Sequence, residues 1–118
     1  MRKQEHFPAD KEIVVTLKLL LDSVTIFIGR LVEISRDGLR FEYIVLREDL
    51  ARHIDAVCEV SLKKNSGTAA FLESISCTIV DDELAPVRSP FGVPVRRCRI
   101  RFSEPLPHSI IQPFIETD

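Results

Sequence analysis

Gly29-Arg30-Leu31-Val32-Glu33-Ile34-Ser35-Arg36-Asp37-Gly38-Leu39-Arg40-Phe41 interrupts an apolar run with an acid, a hydroxyl and a glycine at fixed offsets. Side chains alternate faces along a strand, so Val32, Ile34, Leu39 and Phe41 on a core face put Glu33 and Ser35 on the other. Gly38 is free to take positive φ where the chain reverses. The stretch therefore reads as strand, polar elbow, strand, with an exposed polar ledge beside a tight turn.

The same alternation extends on both sides. Upstream, Ile13, Val15, Leu17, Leu19 and Leu21 alternate with Glu12, Thr16 and Lys18, Asp22-Ser23 turns the chain, and Val24 to Ile34 is rich in β-branched residues. Downstream, Leu39 to Val45, Val57 to Leu62 and Phe71 to Val80 read as further strands, with Lys63-Lys64-Asn65-Ser66-Gly67 as a turn. Leu46, Leu50 and Ile54 recur every four residues, which predicts a helical turn or two across one end of a barrel. Asp81 through Pro86, Ser89, Pro90 and Gly92 reads as a protruding, proline-stiffened loop. The final strand has Cys98, Ile100 and Phe102 facing in and Arg97, Arg99 and Arg101 in a row facing out. That comb is either an outer face solvated or paired to carboxylates, the preferred reading, or an anion-binding patch. In the tail, Pro113 limits the helical spacing of residues 106–115 to one short turn and a break, with Phe114 and Ile115 docked apolar side down.

Several short strands, no long helix and no βαβ alternation give an all-β antiparallel barrel or sandwich. At 118 residues the chain is one domain, with residues 1–10 as an arm held only by a ligand or partner and residues 11–118 as the barrel. The net charge of -2 excludes a general binder of nucleic acid polymer or anionic membrane. No apolar run reaches the roughly 18 residues of a membrane span, and no signal-peptide pattern opens the chain, so it reads as cytoplasmic. The three cysteines, Cys58, Cys77 and Cys98, each share a strand phase with Val, Ile or Phe and read as reduced, buried thiols.

Catalysis would need a nucleophile with a base, paired carboxylates in one cleft or a metal cluster, and the sequence advertises none. His6, His53 and His108 are isolated and lack metal-site spacing. A small barrel that binds single strands would need stacking aromatics on a basic face. With no Trp and one Tyr, this chain is poorly supplied with them.

Glu33-x-Ser35-x-x-Gly38 resembles the D/N-x-S-x-x-G signature of the PilZ domain, the bacterial receptor module for cyclic di-GMP, with an acid one methylene longer than Asp. Val57-Cys58-Glu59-Val60-Ser61-Leu62 stands where that family has its central strand. Arg99-Ile100-Arg101-Phe102 followed by Leu106 resembles its final strand, and residues 106–115 resemble the helix that packs on the barrel. The family's R-x-x-x-R arm is met by Arg2-Lys3-Gln4-Glu5-His6, with His6 in place of the second arginine. The resemblance implies a PilZ-like antiparallel β-barrel with a short C-terminal helix, acting as a regulatory module without cofactor or enzymatic activity. It implies cyclic di-GMP as ligand, bound by Arg2, Lys3, His6, Glu33, Ser35, Arg36 and Gly38. Glu33 and Ser35 would hydrogen-bond the guanine or the ligand backbone, and Gly38 would let the chain pass close to it. Basic groups from Arg2, Lys3, Arg36 or Arg40 would replace the incomplete arginine pair, and binding would be weaker than with the full pair. The alternative is a divergent barrel that has given up the nucleotide and binds a protein partner through an exposed face and the Pro-rich loop.

Overall fold

A computed structural model describes residues 7–9, 12–20, 24–64, 69–89 and 91–115. Arg2, Lys3 and His6 lie outside these, as do the turns expected at Asp22-Ser23 and Asn65-Ser66-Gly67. The strands are β1 (Phe7–Pro8), β2 (Ile13–Leu20), β3 (Val24–Ile34), β4 (Gly38–Ile44), β5 (Val57–Lys64), β6 (Ala70–Arg88) and β7 (Pro94–Phe102). A 3-10 turn spans Leu50–His53, and the chain closes with α1 (His108–Ile111) and a second 3-10 turn, Gln112–Phe114.

All strand pairs are antiparallel, in the order β3-β2-β5-β6-β7-β4, and β4 pairs back to β3 to close a six-stranded barrel. Alternation supplies the core as expected: Ile13, Val15, Leu17 and Leu19 of β2 are buried, as are Phe41, Val60, Leu62, Ile79 and Ile100 from its neighbours. Closure also removes the free strand edges that an open sheet must protect. No helix among the described residues is long and apolar enough to cross a membrane.

Several local expectations are corrected. A bulge between Leu31 and Glu33 pairs Leu31 with Phe41 and then Glu33 with Arg40, so Leu31 and Ile34 reach the core while Val32 is only half-buried. Asp81 to Arg88 is not a protruding loop: β6 runs on against β7 through irregularities after Ile79 and after Leu84. Pro86 falls within the second irregularity, between the Leu84 and Arg88 pairings, where its missing N–H deprives no ladder. The bend that remains is short, with the Ser89 hydroxyl accepting from Val93 N–H at 3.0 Å and Gly92 at φ 74°. The turn after β4 is a single 3-10 turn, capped by Asp49 Oδ1 accepting from Ala51 N–H. Residues four apart do not share a face in such a turn, so Leu50 is buried while Leu46 and Ile54 are exposed.

The tail follows the reading: one helical turn, then Pro113 early in a second turn where no N–H is needed, then Phe114 and Ile115 buried. Cys58, Cys77 and Cys98 are free and buried. Cys58 and Cys77 are direct cross-strand partners with Sγ atoms 3.4 Å apart.

Candidate functional site

The elbow at residues 35–38 sits at the end of the barrel covered by the tail. Ser35 N–H donates to the Gly38 carbonyl at 2.9 Å, and the Ser35 hydroxyl accepts from Asp37 N–H and Gly38 N–H, each at 3.3 Å. Ser35 is therefore consumed by its own turn and is 2% exposed, against the outward orientation expected from alternation. The strand ends at Ile34, so Ser35 belongs to the turn, where its hydroxyl is drawn inward onto the backbone and alternation no longer applies.

Gly38 is needed for a different reason from the expected one. Among the described glycines the positive φ belongs to Gly92. A Cβ on Gly38 would lie 2.1 Å from the Ile100 carbonyl oxygen, so the requirement is close approach of β4 to β7.

Neighbouring bonds fix the elbow to the rest of the fold. Phe102 N–H donates to the Asp37 carbonyl at 2.7 Å, and Leu106 N–H to the Arg36 carbonyl at 2.8 Å. Arg36 turns its Nε onto the Leu106 carbonyl at 3.0 Å. On the other side of β3, Phe7 pairs with Ile34 and Pro8 with Glu33, while Ala9 bridges Ile115. Phe7 also stacks edge-on against His108, centroids 5.8 Å apart. Where the sequence suggested an arm without regular structure, its last residues are a strand that ends at the ledge.

The outer face is a grid of mixed charge. One row across β3, β4, β7 and β6 reads Glu33, Arg40, Arg99, Asp81; the next reads Arg30, Glu42, Arg97, Glu83. Glu42 is 6% exposed under two guanidiniums, with Arg30 Nη2 at 2.8 Å and Arg97 Nη2 at 2.5 Å. Burial by itself would raise the Glu42 carboxyl; Arg97 and Arg30 reverse this and hold it below the usual carboxylate range. Arg40 pairs with Glu33 at 3.4 Å, both about a quarter exposed. The comb is the outer face expected, Arg97 paired to Glu42 and Arg99 and Arg101 exposed to solvent.

Between these groups lies a cleft of about 240 Å³ lined by Glu33, Ser35, Asp37, Gly38, Leu39, Arg99 and Arg101. The structure brings Glu33, Ser35, Arg36 and Gly38 to one elbow, with Arg36 directed at the tail backbone. Sequence reading noticed Arg99 and Arg101 but did not connect them with the elbow. That connection is the β4–β7 ladder, which pairs Gly38 with Arg101 and Arg40 with Arg99. A larger open cleft, about 650 Å³, lies toward the other end of the barrel against the exposed Ile26, Ile28, Ile44 and Leu46, with Arg47 and Arg52 at its rim. Among the described residues no group of His, Cys, Asp and Glu could hold a metal ion.

No protein-family model matches this sequence, and no curated protein does. Solved structures match its fold. The PilZ domain of YcgR from Escherichia coli, with c-di-GMP, superposes with a TM-score of 0.61 at 11% identity, over 96% of this chain and 85% of that one. The Borreliella burgdorferi PlzA protein in complex with c-di-GMP gives a TM-score of 0.59 at 20% identity, over 86% of this chain. This chain covers 41% of the PlzA chain. The fold is PilZ-like: a closed antiparallel barrel with a short C-terminal helix.

Proposed function

We propose that this chain is a cytoplasmic PilZ-like regulatory module that takes cyclic di-GMP at the ledge. The observation that carries the reading is convergence: the Glu33-x-Ser35-x-x-Gly38 elbow, the end of the N-terminal strand and two exposed arginines meet around one cleft. Both PilZ-fold neighbours named above were solved with that ligand. Glu33 supplies carboxylate oxygens that accept from the guanine edge, and Arg40 beside it, at 3.4 Å, holds the carboxylate in place. Ser35 contributes by holding the turn, and Gly38 by keeping β4 tight on β7. Arg2, Lys3 and His6 precede Phe7 and give the arm its basic character, with His6 the weaker donor at neutral pH. The role is binding rather than catalysis.

Calorimetric titration with cyclic di-GMP tests this reading. Saturable binding weakened by Glu33→Ala supports it; binding unchanged by Glu33→Ala together with Ser35→Ala places the ligand elsewhere.

A second reading, a protein-interaction module, rests on the larger apolar cleft. Ile28 and Leu46 are each about two-thirds exposed or more, which is unusual for residues of this size beside one another on a barrel wall. The surface that favours it is this wall and not a proline-rich loop, since residues 81–88 are strand.

A further inference from the structure

We infer that Arg99 and Arg101 of β7 form the phosphate-holding pair of the ledge, gripping the phosphodiester groups of the ligand from the barrel wall. The inference rests on the ledge being a nucleotide site and adds the residues that meet its charge. Strand β7 carries four arginines, and the structure divides them by what they touch. Arg96 is held by Asp82, and Arg97 by Glu42. Arg99 and Arg101 are exposed, and among the described residues neither has a carboxylate within ion-pairing distance, although Asp81 stands opposite Arg99 in the ladder. The two uncommitted arginines are the two that line the cleft with Ser35 and Gly38.

Their spacing suits the role. Positions two apart on one strand face point the same way about 7 Å apart, so two guanidinium forks can each take one phosphate of a single ligand. The carboxylates nearby are Glu33, Asp37 and Asp81, and Glu33 is offset by Arg40 at 3.4 Å. A guanidinium is always charged and offers a planar fork, which is what an arm ending in histidine lacks.

The test is amide-shift and calorimetric titration of the full chain and of an Arg99→Ala, Arg101→Ala double variant, with cyclic di-GMP and, separately, inorganic pyrophosphate. Both side chains are exposed, so the variant should melt with the native protein, and Arg99→Lys with Arg101→Lys should recover only part of the loss. The expected result is a fall in cyclic di-GMP affinity of about 30-fold or more, with native shifts centred on β7 and residues 35–38. Cyclic di-GMP binding that survives the double substitution overturns the inference and leaves the nucleotide reading standing. No cyclic di-GMP binding by the native chain overturns the nucleotide reading, and the pyrophosphate arm then decides. Shifts at residues 99–101 abolished in the variant uphold the arginine pair as an anion site; no such shifts overturn it too.

Discussion

Tyr43 donates its hydroxyl proton to Asp82 Oδ1 at 2.8 Å, inside the barrel and at the opposite end from the ledge. The same hydroxyl accepts from Leu50 N–H at 2.7 Å, and Arg96 Nε closes on the other Asp82 oxygen. Burial pushes Tyr43 well above its ordinary range, so it remains a neutral donor throughout the physiological range. One phenol thus ties the 3-10 turn to β4 and β6. Tyr43→Phe keeps the ring and leaves Leu50 N–H and Asp82 each short of a partner. Urea unfolding should show a loss of about 1–3 kcal/mol.

Glu42 gives a pH signature. Its folded carboxyl lies below the ordinary carboxylate value of 4.5, so its contribution to stability is present above that pH and is lost as pH falls through the lower folded value. Glu42→Gln should destabilise by about 1–3 kcal/mol at pH 7, with Arg30 and Arg97 losing their shared counter-charge. The gap between native and variant should close in acid. A gap that is constant from pH 7 to pH 3 would rule out the ion pairs as its source.

Gly38→Ala forces a methyl against the Ile100 carbonyl oxygen, and both partners are backbone, so no side chain can swing away. The expected cost is about 1–3 kcal/mol, with loss of ligand binding if β4 and β7 separate at the cleft. Gly92→Ala meets nothing within 4 Å and pays only for its φ of 74°, about 1–2 kcal/mol. Melting of the two variants, with the ligand titration repeated on each, should set Gly38 apart by its effect on binding.

The thiols should be inert in the folded protein. Cys58, followed by burial, pushes Cys77 up, and burial pushes Cys98 up, so neither is a ready thiolate; the hydrogen bond with Cys77 pulls Cys58 down, and its inertness rests on its complete burial. Reaction with a thiol reagent should wait for unfolding; rapid labelling of all three in native buffer would contradict their burial.

His6→Arg should tighten cyclic di-GMP binding by restoring an always-charged fork to the arm. A histidine contacting phosphate is held best when protonated, so native binding should weaken between about pH 5.5 and 7.5 while the variant's stays level. Calorimetry at pH 6 and pH 8 on both proteins checks this. Identical pH profiles would remove His6 from the site.

The barrel was legible because alternation is local: each run of Ile, Val and Leu at every second position declares its own strand, and Pro113 declares the break in the tail. The ledge was only half legible. Glu33, Ser35 and Gly38 carry a pattern, but Ser35 is buried because the strand ends at Ile34 and its hydroxyl closes the turn, an end point that alternation does not mark. The need for Gly38 is a contact with Ile100, and Arg99 joins the cleft through its pairing with Arg40. Both relations span about 60 residues of chain and arise only once β4 and β7 are neighbours. The acidic, proline-containing run after Val80 misled for the same reason: its composition says loop, while the ladder to β7 and two bulges keep it in the sheet.

The bridge between Ala9 and Ile115 brings the chain's entry into the barrel and its exit to one spot beside the ledge. A short peptide can therefore link Ile115 to Ala9, and the ring can be reopened at the Ser89–Val93 bend, giving a circular permutant with the barrel ladders in register.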